Sequence, residues 1–138
     1  MEHKYLKELQ GDGNTYFPYK EADYPIKDEE FGFDVRETFG FDVFMITWLY
    51  ERLRFFQDEV SQRISLDFHK FKIHEEELTQ SECIERMVRY CKIYLNELYE
   101  SEDEFPDGEA LAEEEIMKQQ TAKELFYILG EVFPAMWW

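Results

Sequence analysis

Apolar residues recur at a helical period along two stretches of the chain. In the first, Ile46, Leu49, Tyr50, Leu53, Phe56 and Val60 follow one another mostly at steps of three and four. Residues so spaced share one face of a helix, and the pattern predicts a helix from about Asp42 to Val60. Glu51, Arg52, Arg54, Asp58 and Glu59 fall mostly on its polar side. Asp42 suits the start, both as a cap and against the positive end of the helix dipole. In the second stretch Ile84, Met87, Val88, Cys91, Leu95 and Leu98 form an amphipathic face. Thr79 followed by Glu82 marks where this helix begins, because hydroxyl and carboxylate can each satisfy an exposed backbone N–H.

A third helix is expected from near Glu109 to about Val132. Its first turns are acidic, and Leu111, Ile116, Ala122, Leu125, Phe126 and Leu129 supply apolar contacts before Pro134 stops it. Leu66 to Ile73 (LDFHKFKI) is short and rich in large apolar residues, so it reads as a strand or strand-like connector. The alternation slips between Phe68 and Phe71, and His74 to Glu77 reads as a polar turn. Residues 1–40 show no clean period. Gly11 to Asn14 form a turn cluster, and Tyr16, Phe17, Pro18, Tyr19, Tyr24, Phe31, Phe33 and Phe39 are scattered among acids. Two readings stay open for this segment: an aromatic-anchored arm across the helices, or partial disorder until a partner binds.

The chain therefore reads as mainly α and as one folded unit. An irregular arm (1–40) precedes a helical domain (41–138) of about three principal amphipathic helices with a short β element. A length of 138 residues and an apolar fraction of 44% are enough for one core.

Charge narrows the classes of partner. The net charge is −17, which opposes direct binding to nucleic acid or to an anionic membrane and favours a protein with a basic surface. A purely solvating role for the acids is the alternative. The charge is uneven: residues 41–95 hold 8 basic and 10 acidic side chains, residues 96–138 hold 2 and 12. Between Glu97 and Met117 lie Glu97, Glu100, Glu102, Asp103, Glu104, Asp107, Glu109, Glu113, Glu114 and Glu115, with no lysine or arginine. These ten acids are candidate partner-binding residues. Trp137 and Trp138 join them, since exposed tryptophan is favoured at binding hot spots; packing of the tail back over the core is the other reading.

The remaining chemistry is sparse. Cys83 and Cys91 are eight residues apart, about 12 Å of rise on one helix, too far for a disulfide. They read as buried free thiols in a reducing compartment. No apolar run resembles a signal peptide or a membrane span, so a cytoplasmic location is expected. His69 and His74 lack an identifiable third metal ligand. Asp103, Asp107, Gly108 and Glu114 match positions 1, 5, 6 and 12 of a calcium-binding EF-hand loop. Phe105 stands where an oxygen ligand is needed, and Pro106 follows it. There is no nucleophile elbow, phosphate-binding glycine loop or CxxC. No catalytic, cofactor-binding or metal-binding residue is expected, and the chain reads as a non-enzyme.

Three stretches together resemble a group of small proteins encoded by tailed bacteriophages and prophages. They are FDVFMITWLYERLRFFQDE (Phe41 to Glu59), LTQSECIERMVRYCKIYL (Leu78 to Leu95) and LFYILGEVFPAMWW (Leu125 to Trp138). In that group a helix with an arginine followed by Leu, a basic residue and Phe, here Arg52, Leu53, Arg54 and Phe55, precedes a helix with a Met-centred apolar face. The resemblance implies a phage accessory protein acting in a bacterial cytoplasm and carries over no catalytic residues. The resulting expectation is an acidic, DNA-mimic-like inhibitor that occupies a basic surface on a host nucleic-acid-handling or defence protein, such as a nuclease. The alternative is an assembly, replication or regulatory accessory that binds through aromatic surfaces, with homo-oligomerisation open.

Overall fold

The amphipathic stretches fold as three helices, α1 (Phe41–Asp58), α2 (Gln80–Glu100) and α3 (Gly108–Val132). The computed structural model describes residues 3–9, 16, 30–38, 40–100 and 108–137, with the side chains of 97–100 and 109–111 left out. Both α1 and α3 pack against α2. Ile84, Met87, Cys91 and Leu95 of α2 are fully buried. They meet Ile46, Leu49, Tyr50 and Leu53 of α1 and Leu125, Ile128 and Val132 of α3 in one core. Removing each such large side chain from water contributes roughly 1.5–3 kcal/mol. The thiols are buried and free, as their spacing requires.

The start of α2 is set by the reciprocal cap. The Glu82 backbone N–H donates to Thr79 Oγ1 at 3.2 Å, and the Thr79 N–H donates to Glu82 Oε1 at 3.1 Å. The start of α1 differs from expectation. Its cap position is Gly40, in the left-handed region at φ 54°, and Asp42 lies in the first turn. There Asp42 accepts a hydrogen bond from the Tyr94 hydroxyl at 2.5 Å and ties α1 to α2. Beyond Asp58 the chain tightens into a 3-10 turn, Val60–Gln62, which still buries Val60.

A hairpin joins α1 to α2. Strand β1 (Lys70–Ile73) pairs antiparallel with β2 (Glu76–Thr79), Phe71 facing Leu78 and Ile73 facing Glu76. The Leu66–Ile73 stretch is connector followed by a short strand, and one expectation is corrected: the polar segment after His74, read as a turn, includes a second strand. Glu76 and Glu77 are exposed on β2, and Leu78 is its one buried residue, so no apolar alternation betrays it. His74 takes the turn with φ 54°. Its ring stacks on Tyr127 at 4.7 Å, and its Nε2 lies 2.9 Å from Glu124 Oε2, which fixes the hairpin tip to α3.

The N-terminal segment is irregular but anchored where it is described. Tyr5, Leu6, Leu9 and Tyr16 are buried in the core, and the Tyr16 carbonyl accepts from Thr47 Oγ1 at 3.2 Å. Short 3-10 turns cover Leu6–Glu8 and Val35–Thr38. A further correction concerns α3. Ile116 and Phe126, expected as core contacts, are exposed, while Thr121, Ile128 and Val132 line the buried side with Leu125. Since α3 has only one helix as neighbour, its buried stripe is narrow, and apolar residues outside it face water.

Candidate interaction surface

Past Val132 the helix tightens into a 3-10 turn, Phe133–Ala135, with Pro134 in its first positions. Proline lacks the N–H that an α-helix would need, so the change of direction is built in. The Met136 N–H donates to the Phe133 carbonyl at 3.1 Å and the Trp137 N–H to the Ala135 carbonyl at 3.0 Å. These bonds set the tail's path. Met136 packs against the core, and Trp137 projects outward at 74% exposure.

Trp137 closes one side of a groove of about 670 Å³. Pro134 and Ala135 line it together with Gln80 at the start of α2 and Ile64, Phe68 and His69 of the connector. Phe68 is 82% exposed and meets the His69 ring edge-on at 5.1 Å. Phe133, beside the groove in sequence, is 66% exposed. Three large aromatic side chains at this exposure, drawn from two parts of the chain, are costly to hold in water without an occupant.

The acidic candidates distribute differently. Glu113 and Glu115 are exposed in the early turns of α3, and Glu114 is half-buried. Glu115 borders a smaller hollow with Asp42, Tyr94 and Lys118, so one of the acids faces a lysine. Glu97 and Glu100 lie on the last turns of α2 and Glu109 in the first turn of α3, their side chains outside the described set. Glu102, Asp103, Glu104, Asp107 and Trp138 lie outside the described residues. The described half of the partial EF-hand match has no loop geometry. Gly108 opens α3 and Glu114 sits two turns into it, whereas position 6 of such a loop must make a sharp turn.

A further polar cluster ties the N-terminal segment to α1 and is partly exposed. Arg54 grips Glu8 with two hydrogen bonds of 2.7 Å, and the Tyr50 hydroxyl donates to the same carboxylate at 3.0 Å. The Arg54 guanidinium holds the Glu8 carboxyl below its ordinary value, while burial and then Glu8 raise the Tyr50 phenol. Burial pushes the Cys83 thiol up to about 11 and raises Cys91 as well, so neither is a thiolate nucleophile near neutral pH. Among the described residues, no three His, Cys, Asp or Glu side chains converge as a metal site, and no helix is long and apolar enough to cross a membrane.

Comparison with protein-family models, with curated proteins and with solved structures gave no match. The resemblance to phage-encoded proteins rests on the three quoted stretches alone.

Sequence reasoning pointed to Trp137 and missed Phe68, Phe133 and Ile64. The available signal was an excess: between Leu125 and Trp137 the chain carries more large apolar residues than one helix stripe can bury. Phe68 carried a weaker sign, the slip in alternation that placed it off the strand.

Proposed function

We propose that this chain is a non-enzymatic protein-binding module that engages its partner through the aromatic groove between the connector and the C-terminal turn. The observation that carries this reading is the shared exposure of Phe68 and Trp137 on one groove, with Phe133 exposed next to its Pro134 in sequence. Aromatic side chains of this kind dominate binding energy when a partner desolvates them. Burial raises both thiols, so neither competes with a binding role as a ready nucleophile. In the setting that the resemblance implies, this is an accessory or assembly component of a phage working in a bacterial cytoplasm.

A second reading draws on Glu113 and Glu115, exposed at the start of α3. A helix rises about 1.5 Å per residue and duplex DNA carries one charge per ~1.7 Å, so an acidic helix end can imitate a phosphate track and block a basic surface on a host nuclease. One capture experiment from bacterial lysate separates the two readings. Wild type is compared with Phe68→Ala/Trp137→Ala and with Glu113→Lys/Glu114→Lys/Glu115→Lys. Loss of the captured protein with the aromatic pair alone supports the groove. Loss with the charge reversal alone overturns it in favour of the acidic reading.

A further inference from the structure

We propose that the occupant of the aromatic surface is a second copy of this chain, docked antiparallel along α3 with Gly130 at the crossing point; the inference rests on the protein-binding reading above. Gly130 lies inside the last turns of α3, where glycine weakens a helix relative to alanine. A Cβ at this position would meet nothing within 4 Å, so packing inside the chain does not require the glycine. It does leave a notch on an exposed face. Phe126 precedes it by four residues and Phe133 follows by three, which puts both on the same side of the helix. Phe126 is 47% exposed and Phe133 66%.

This face is complementary to itself when reversed. With Gly130 of each copy at the two-fold axis, Phe126 of one lies beside Phe133 of the other, and each pair flanks the notch. Lys123, seven residues before Gly130, is exposed on the same side of the helix, and the reversal directs it toward the C-terminal end of the other copy's α3. An isologous contact of this kind closes after two copies.

Charge along this stretch permits a second copy despite the overall −17. Residues 116–137 carry Lys118, Lys123, Glu124 and Glu131 and are neutral in sum. This is the stretch of α3 along which two such acidic chains can meet without like-charge repulsion. The area agrees. At ~200 Å² for a whole aromatic side chain, the exposed fractions of Phe68, Phe126, Phe133 and Trp137 come to roughly 500 Å² per copy. Ile64, Pro134 and the bare backbone at Gly130 add to this, toward the ~800 Å² per partner of a standard interface.

The test is sedimentation equilibrium of the full chain across about 1 to 200 µM, a range that brackets a modest interface. Wild type should pass from monomer to dimer. Gly130→Leu fills the notch and should move the midpoint at least ~tenfold higher in concentration, while helix content and melting temperature hold or rise because leucine is the better helix former. Phe133→Ala should weaken the dimer by a similar factor, and salt near 1 M should leave it intact because charge does not hold it. A wild type monomeric throughout, or a dimer indifferent to both substitutions, overturns the proposal. If the monomer nonetheless binds a lysate protein that Phe68→Ala/Trp137→Ala releases, the groove reading survives alone. If neither self-association nor capture responds to the aromatic variants, both fail.

Discussion

Helices α2 and α3 are of similar length and solve opposite problems. Along α2 the apolar side chains at 84, 87, 88, 91 and 95 are all buried, between α1 on one side and α3 on the other. Among the described side chains of α3 only Leu125, Ile128, Val132 and Thr121 are buried, and Ile116, Met117 and Phe126 are exposed. A helix flanked on both sides has a use for every apolar residue it carries. A helix flanked on one side that still carries aromatics elsewhere holds surface in reserve. The contrast shows where the core takes up the apolar side chains of a helix and where it leaves them exposed.

The largest expected effect tests that division directly. Ile84→Ala leaves a cavity in the fully buried face of α2 and should cost about 3 kcal/mol in urea denaturation, whereas Phe126→Ala on α3 should stay within about 0.5 kcal/mol. Comparable losses at both positions would mean that α3 buries a second face.

The α1–α2 side reaches the N-terminal segment through Glu8. Glu8→Gln should cost about 1.5 kcal/mol at neutral pH, the low end for hydrogen bonds to a charged group because the pair with Arg54 is partly exposed. The folded carboxyl titrates below its ordinary value of 4.5. Its contribution is therefore complete above that value and vanishes as pH falls through the folded one. The stability difference between wild type and variant should be flat above about pH 5 and shrink below it. A difference that grows on acidification would place the partner of Glu8 elsewhere.

The smallest effect sharpens the α3 side, which is held to the hairpin by His74. At a left-handed φ, a residue with a Cβ carries a strain of about 1 kcal/mol that glycine avoids. His74→Ala loses the Tyr127 and Glu124 contacts and keeps the strain; His74→Gly loses the contacts and relieves it. Thermal melts should rank glycine above alanine by about 1 kcal/mol. Equal melts would show that the turn relaxes in the variants.

The sequence made some of this legible and hid the rest for definite reasons. The α2 face and its Thr79–Glu82 cap were visible because they depend only on local spacing. β2 was not visible, since three of its four residues are polar and its pairing with β1 is the sole reason it is a strand. The sidedness of α3 was hidden too. Ile116 and Phe126 fit an apolar pattern as well as Ile128 does, and only the number of neighbouring helices decides which are covered. The groove assembles residues some seventy positions apart, Phe68 and Trp137, and no local period relates them. Of the acidic candidates, Glu113, Glu114 and Glu115 were read correctly as belonging to a helix that starts near Glu109.

The placement of the chromophores has an optical consequence. Trp48, with the Arg52 guanidinium 4.1 Å above its ring, and Trp137 both stand at the surface, while Tyr16 and Tyr50 are fully enclosed. Emission from Trp48 and Trp137 reports on contact with water or with whatever covers the surface. The near-ultraviolet dichroism of the enclosed tyrosines reports on the integrity of the core. Substituting Trp48 and Trp138 by phenylalanine would leave Trp137 as the single emitter on the groove.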